Sequence, residues 1–282
     1  MDFIDTFVLG NRVLRDLIWG AIIFFCAVGA VRLIQKARTG ERGSAWPTRG
    51  VWRSLAQNSL LAFMNKIFYV WAIVFFGWLT IDIWPHLGLT PLTPFEAWPL
   101  WASVLAAMVL FDFANYWSHR LLHRPWMWAF HSLHHSDEHM NFSTQSRIHV
   151  VEFIQMGMIW SILLSWLSLP VAAGFIAGTI RSMHSMYIHS NLPFDHGRFR
   201  KVVASPNYHR WHHADSAEVW GNNLADMFPL WDILFGTHHD PGRCDLPLGV
   251  SDAPDNVIDG QFYPVKRLYR QFREWQSARK AA

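Results

Sequence analysis

Six of the chain's 16 histidines fall between His119 and His139, far more than even spacing along 282 residues would place there. Their spacing is patterned. His119 and His123 are four apart, His131-Ser-Leu-His134-His135 follows, and His209-Arg-Trp-His212-His213 repeats the second arrangement. On a helix, residues four apart share a face, one turn from each other. His119 with His123, His131 with His135, and His209 with His213 can therefore each grip one ion. The remaining histidine of each HxxHH box, His134 and His212, sits beside its pair and can reach a second ion. Imidazole suits zinc, iron, copper and nickel alike, so ligand type leaves the element open. The boxed histidines, with His189 of His189-Ser-Asn191, outnumber the four ligands that a tetrahedral ion takes. Two metals at a shared site follow.

Other polar residues are placed to support such a site. Asp112, Asn115, Tyr116, His119 and His123 form one helical stripe, so Asp112 and Tyr116 are candidates for holding the ligands in place. A metal-bound histidine usually donates its second N–H to a carboxylate, and Asp112 is expected to accept it; a helix-packing hydrogen bond is the alternative. Glu152 lies three residues after His149 and can orient it. His149 and His184 are further ligand candidates. His86, His196 and the His238-His239 pair lie outside the repeated spacing and read as surface or loop residues. Cys26 and Cys244 are the only cysteines, which excludes a disulfide framework and any cysteine-based zinc or iron–sulfur site.

These boxes must be positioned by apolar elements. Hydrophobic residues make up 51% of the chain and charged residues 16%, against about 25% charge in a soluble domain. Residues 17–34, 67–84 and 97–117 each approach the ~20 apolar residues that a spanning helix needs. Residues 153–189 are mostly apolar and are split by Pro170, which predicts two shorter helices in a hairpin. The expected fold is all-α: an integral-membrane bundle of three spans plus a helical hairpin, with a cytoplasmic histidine-rich cap. Three regions are expected: 1–96 with membrane spans and a loop, 97–240 as the catalytic region, and 241–282 as a cytoplasmic tail. Orientation comes from charge. Residues 35–66 carry Lys36, Arg38, Arg42, Arg49, Arg53 and Lys66, while 85–96 carry no Lys or Arg, which places the first segment in the cytoplasm. Segments 118–152 and 190–282, with every histidine box, then fall on the cytoplasmic side; Arg12 and Arg15 mildly oppose the outward amino terminus this requires. A net charge of +3 without a basic, aromatic-interleaved stripe gives no sign of nucleic-acid binding.

Taken together, these motifs resemble the fatty acid hydroxylase/sterol desaturase superfamily of integral-membrane di-iron enzymes. The resemblance runs over residues 97–237. It rests on Asp112…Tyr116-Trp-Ser-His119-Arg120, the two HxxHH boxes, Arg147-Ile-His149…Glu152, His189-Ser-Asn191 and Trp231-Asp232…Phe235-Gly236-Thr237. It implies His119, His123, His131, His134, His135, His189, His209, His212 and His213 as ligands of two iron ions. It also implies O2 as co-substrate and hydroxylation or desaturation of a lipid alkyl chain or ring, fatty acyl or sterol-like. The family's frequent Asn-aromatic-Gly step after the last box reads Trp220-Gly221-Asn222-Asn223-Leu224 here, which bears on substrate detail. No cytochrome b5 module and no dinucleotide-binding GxGxxG turn is evident. Electrons are therefore expected from a separate ferredoxin- or cytochrome b5-type donor with its reductase, and Arg198, Arg200 and Lys201 form a candidate docking patch. The competing readings are a membrane-embedded zinc hydrolase, which lacks an HExxH here and would need Glu138 or Glu152 as its base, and another metal-binding membrane protein.

Overall fold

The computed structural model describes residues 49–95, 97–190, 192, 194–250, 254 and 256–281. The expected first span, 17–34, and Asn191 of the His189-Ser-Asn191 motif lie outside the described residues. Among those described, eight α-helices and no strand are present: α1 (Arg49–Trp78), α2 (Leu100–Leu122), α3 (Trp128–His135), α4 (Val150–Trp166), α5 (Val171–Ile188), α6 (Pro206–His212), α7 (Leu230–Phe235) and α8 (Val257–Ala281). The one departure is an isolated antiparallel bridge between Ala214 and Leu248.

Two helices are long and apolar enough to cross a membrane. α1 continues through a π turn and a 3₁₀ turn to Leu87, giving 39 residues, and α2 adds 23. Among the described residues, nothing covers their apolar faces. Phe63, Ile67, Trp71, Val74 and Trp78 of α1, and Trp101, Leu105, Val109 and Trp117 of α2, are all exposed. A soluble protein rarely leaves so large an apolar patch in water, so these are the surfaces of a membrane protein.

The helix expected from residue 67 begins much earlier, at Arg49. A helix of 30 residues is about 45 Å long, against about 30 Å of bilayer hydrocarbon. The helix is thus longer than a single crossing needs, and its first turns are built to pack against protein instead. Ser54, Asn58, Leu61 and Asn65 recur at helical spacing and are all buried. Ser54 Oγ donates to the Asp137 carboxylate at 2.7 Å, Asn58 Nδ2 bonds the same group at 3.2 Å, and Asn65 Nδ2 donates to the Ile148 carbonyl at 2.9 Å. This stripe ties α1 to the loop that follows the first HxxHH box.

The hairpin forms as Pro170 requires. α4 ends at Trp166, Ser168 turns the chain with φ 51°, and Pro170 caps α5. α4 lies close against α1 at Gly157, where an added Cβ would come within 2.8 Å of the Ala72 Cβ. Ala107 and Phe111 of α2, Trp160 of α4 and Ala177 of α5 form the core between these helices. α2 and α5 therefore run as neighbours, and both end at histidines: His123 caps α2 and His189 caps α5.

Candidate metal centre

α2 delivers His119 in its last turn and His123 at its cap. The turn Arg124–Met127 reverses the chain into α3, which carries His131, His134 and His135. Ser205 starts α6 by accepting a hydrogen bond from Tyr208 N, with Pro206 in the first turn, where its missing N–H costs nothing. α6 then presents His209 and His212, with His213 as its cap.

The nine imidazoles meet in two groups. His119, His123, His131, His135 and His212 form one; His134, His189, His209 and His213 form the other, and within each the candidate ligand nitrogens all lie within 4.8 Å of one another. Each HxxHH box is divided between the groups as its spacing requires. His131 and His135 go to one group and His134 to the other; His209 and His213 go to one and His212 to the other. The groups adjoin, with ring centroids of His135 and His213 4.5 Å apart and those of His209 and His212 5.2 Å apart.

The nitrogen spacing suits metal binding. Nε2 atoms face each other at 2.9 Å for His119 and His131, 2.9 Å for His189 and His209, and 3.1 Å for His209 and His213. Two nitrogens each bound at about 2.1 Å and a right angle to one ion would be about 3.0 Å apart. Nε2 of His123, His135 and His212 is buried without a hydrogen-bond partner, a condition that costs about 1–3 kcal/mol per group unless something else meets it. A metal ion held between these nitrogens would meet it.

Outer contacts aim the lone pairs inward. His119 Nδ1 bonds the Leu224 carbonyl at 2.7 Å, His212 Nδ1 the Asn222 carbonyl at 2.8 Å, and His189 Nδ1 the Ser185 carbonyl at 2.7 Å. A carbonyl only accepts, so Nδ1 carries the proton and Nε2 keeps its lone pair for the centre. His131 Nδ1 bonds Glu152 Oε2 at 2.8 Å. Burial, reinforced by neighbouring imidazoles, holds His131, His134, His135, His209, His212 and His213 well below the ordinary histidine range. They are neutral near pH 7, which is the ligand form.

The supporting residues differ from the sequence expectation. None of Asp112's hydrogen bonds goes to a histidine: its carboxylate accepts from Met227 N and Phe228 N at 2.9 Å and from Trp231 Nε1 at 3.0 Å. Tyr116 accepts from Arg120 at 2.7 Å and bonds Thr237 Oγ1, which donates to Asp232. Both residues hold the 222–237 segment, whose Asn222 and Leu224 carbonyls orient His212 and His119. Glu152 reaches His131 through its side chain, while its other oxygen accepts from the His149 backbone. His149 belongs to neither group. It caps α4, taking Val151 N on Nδ1 and bonding the Gln261 carbonyl through Nε2 at 2.9 Å. His184 also belongs to neither group. His239 lies apart, beside Trp211.

Asp232 has no role in the spacing argument, yet it is fully buried and accepts from Leu224 N, Ala225 N, Tyr208 Oη and Thr237 Oγ1. Asn223 holds the same turn from a left-handed φ of 53°, a conformation that asparagine tolerates better than most residues. A part-buried ion pair, Arg181 to Asp226 at 2.6 Å, fastens this segment to α5. From these contacts, Asp112→Asn should leave at least one of three N–H donors facing an amide N–H. The expected result is a lower thermal midpoint, from a loss of about 1–3 kcal/mol, with near-normal metal content in the folded fraction; thermal melting with elemental analysis checks it.

The family model described as fatty acid hydroxylase matches residues 104–237, the stretch from α2 through α7 that builds this centre. The chain belongs to the fatty acid hydroxylase/sterol desaturase superfamily. Among its curated relatives, an ornithine lipid hydroxylase of Rhizobium tropici is 28% identical over 149 residues, covering 52% of this chain and 45% of the relative. An alkylglycerol monooxygenase of Danio rerio is 30% identical over 186 residues, 66% of this chain and 38% of the relative. A very-long-chain aldehyde decarbonylase of Oryza sativa is 27% identical over 166 residues, 57% and 62%. The chain thus spans less than half the length of the first two. No solved structure matches it.

Proposed function

We propose that the chain is a membrane lipid oxygenase that hydroxylates or desaturates the alkyl part of a polar lipid, with two iron ions, O2 and electrons from another protein. The observation that carries this reading is the convergence of nine imidazoles in two adjoining groups at the ends of apolar helices. His119, His123, His131, His135 and His212 would hold one ion; His134, His189, His209 and His213 would hold the other. Iron with O2 supplies an oxidant strong enough for an unactivated C–H bond, which side chains alone do not.

The chain's own part is binding and orientation. The carbonyls of Leu224, Asn222 and Ser185 and the carboxylate of Glu152 fix four imidazole rings. Burial of the cluster excludes water. The exposed apolar faces of α1 and α2 lead from the bilayer toward the box end, so an alkyl chain can approach through lipid while its headgroup stays at the interface. The relatives named for ornithine lipid and alkylglycerol support a substrate of that shape. The charge asymmetry of the sequence supports a cytoplasmic box end, where exposed Arg198, Arg200 and Lys201 offer docking to an acidic donor.

A zinc hydrolase would need a carboxylate free to act as base beside its metal. Among the described residues no carboxylate belongs to either group, and both Glu152 oxygens are engaged. Purified full-length protein in detergent should take up O2 with a ferredoxin-type donor, its reductase and a lipid extract, and the extract should gain hydroxylated or unsaturated lipid. It should not oxidise NADPH at a catalytic rate alone. Hydrolysed lipid with no O2 uptake would overturn the reading.

A further inference from the structure

α8 carries a surface that the metal centre does not use. It has three faces. Val257, Gly260 and Pro264 are buried, Val257 against Leu61 of α1 and Leu133 of α3. Ile258, Phe262, Val265 and Tyr269 recur at helical spacing on a second face and are 53%, 58%, 66% and 61% exposed. Lys266, Arg270 and Arg273 recur along one flank of that stripe. Asp259 and Glu274 are the only acidic residues between Val257 and Ala281, and Asp259 is paired with Lys266 at 3.2 Å.

The helix's starting point indicates what covers the stripe. α8 begins beside Leu61, and around Leu61 the α1 residues Leu60, Phe63, Met64 and Ile67 are exposed. That is the level at which the lipid-facing surface of α1 begins. An apolar stripe edged by cations suits the boundary between acyl chains and anionic headgroups. Pairing of two copies through the stripe would bring their cationic flanks together.

We infer that α8 lies in the plane of the membrane as an anchor, with Ile258, Phe262, Val265 and Tyr269 in the acyl boundary and Lys266, Arg270 and Arg273 on anionic phospholipid headgroups. Gln261, on the same helix, holds the start of α4 by accepting from Val150 N at 3.0 Å. Membrane contact therefore braces the cap that carries the histidine boxes. The inference needs the membrane setting and is independent of the oxidation chemistry.

The test uses the full chain in vesicles of phosphatidylcholine with one-third phosphatidylglycerol. Spin labels are placed by Val265→Cys, Tyr269→Cys or Glu274→Cys in a Cys26→Ser, Cys244→Ser background; buried Cys244 is kept where its replacement lowers yield, with the unlabelled parent as control. Labels at 265 and 269 should collide several-fold more with O2 than with a water-soluble nickel chelate, and the label at 274 should do the reverse. Replacing Lys266, Arg270 and Arg273 with Gln, or omitting phosphatidylglycerol, should reduce the O2 preference at 265. Nickel-chelate access at 265 equal to that at 274 would overturn the anchor. Spin–spin broadening with neither reagent admitted would overturn it in favour of a second copy.

Discussion

His135→Ala, His212→Ala and His213→Ala should each abolish lipid oxidation while the apolar helices still insert. The first two remove a nitrogen from the five-histidine group, and the third removes one from the four-histidine group. Because the two groups share boxes and the His135 and His213 rings stack at 4.5 Å, loss in one group should disturb the other. Metal content should therefore fall by more than one ion in each variant. His239→Ala is the control: its ring belongs to neither group, and its hold on the turn runs through backbone atoms that bond Asn223. It should retain near-normal metal and activity. Full activity in any two of the three box variants would refute a shared centre.

Glu152→Ala should weaken metal binding by about 10–100-fold, the usual effect of removing a partner that orients a ligand. His131 Nδ1 would lose its acceptor at 2.8 Å, and α4 would lose half of its capping box. The two losses separate in measurement. A capping loss alone, about 1 kcal/mol, lowers the melting temperature and leaves metal affinity of the folded protein intact. Glu152→Gln keeps an oxygen for His131 and should lose less affinity than Glu152→Ala. Metal titration of both variants beside thermal melting checks this; unchanged affinity in Glu152→Ala would leave Glu152 a cap only.

The centre was legible because its ligands obey a local rule. Residues four apart on a helix share a face and can hold one ion, while the histidine three along turns aside toward the second, and the division of each HxxHH box follows from that geometry. His189 was legible as the end of a hairpin that Pro170 forces. The supports were not legible in the same way. Leu224 and Asn222 act through backbone carbonyls, which leave no side-chain signature. Asp112 shares a stripe with His119, and spacing could not reveal that its partners lie more than a hundred residues away, at Met227, Phe228 and Trp231. His149 follows the same logic in reverse: a ring near Glu152 suggested metal chemistry, and the structure uses it as a helix cap. The early start of α1 was written in Ser54, Asn58 and Asn65, but a polar stripe at the foot of an apolar helix reads as loop until its partners, Asp137 and Ile148, are in view.

The central claim is that two ions share one cluster of nine histidines. Elemental analysis of the full-length protein, purified in detergent from cells grown with iron, tests it most directly when wild type is measured beside His135→Ala and His213→Ala. The account predicts two iron ions per wild-type chain and a loss of more than one in each variant. A single ion per chain, or two ions of which each variant loses only its own, would contradict it.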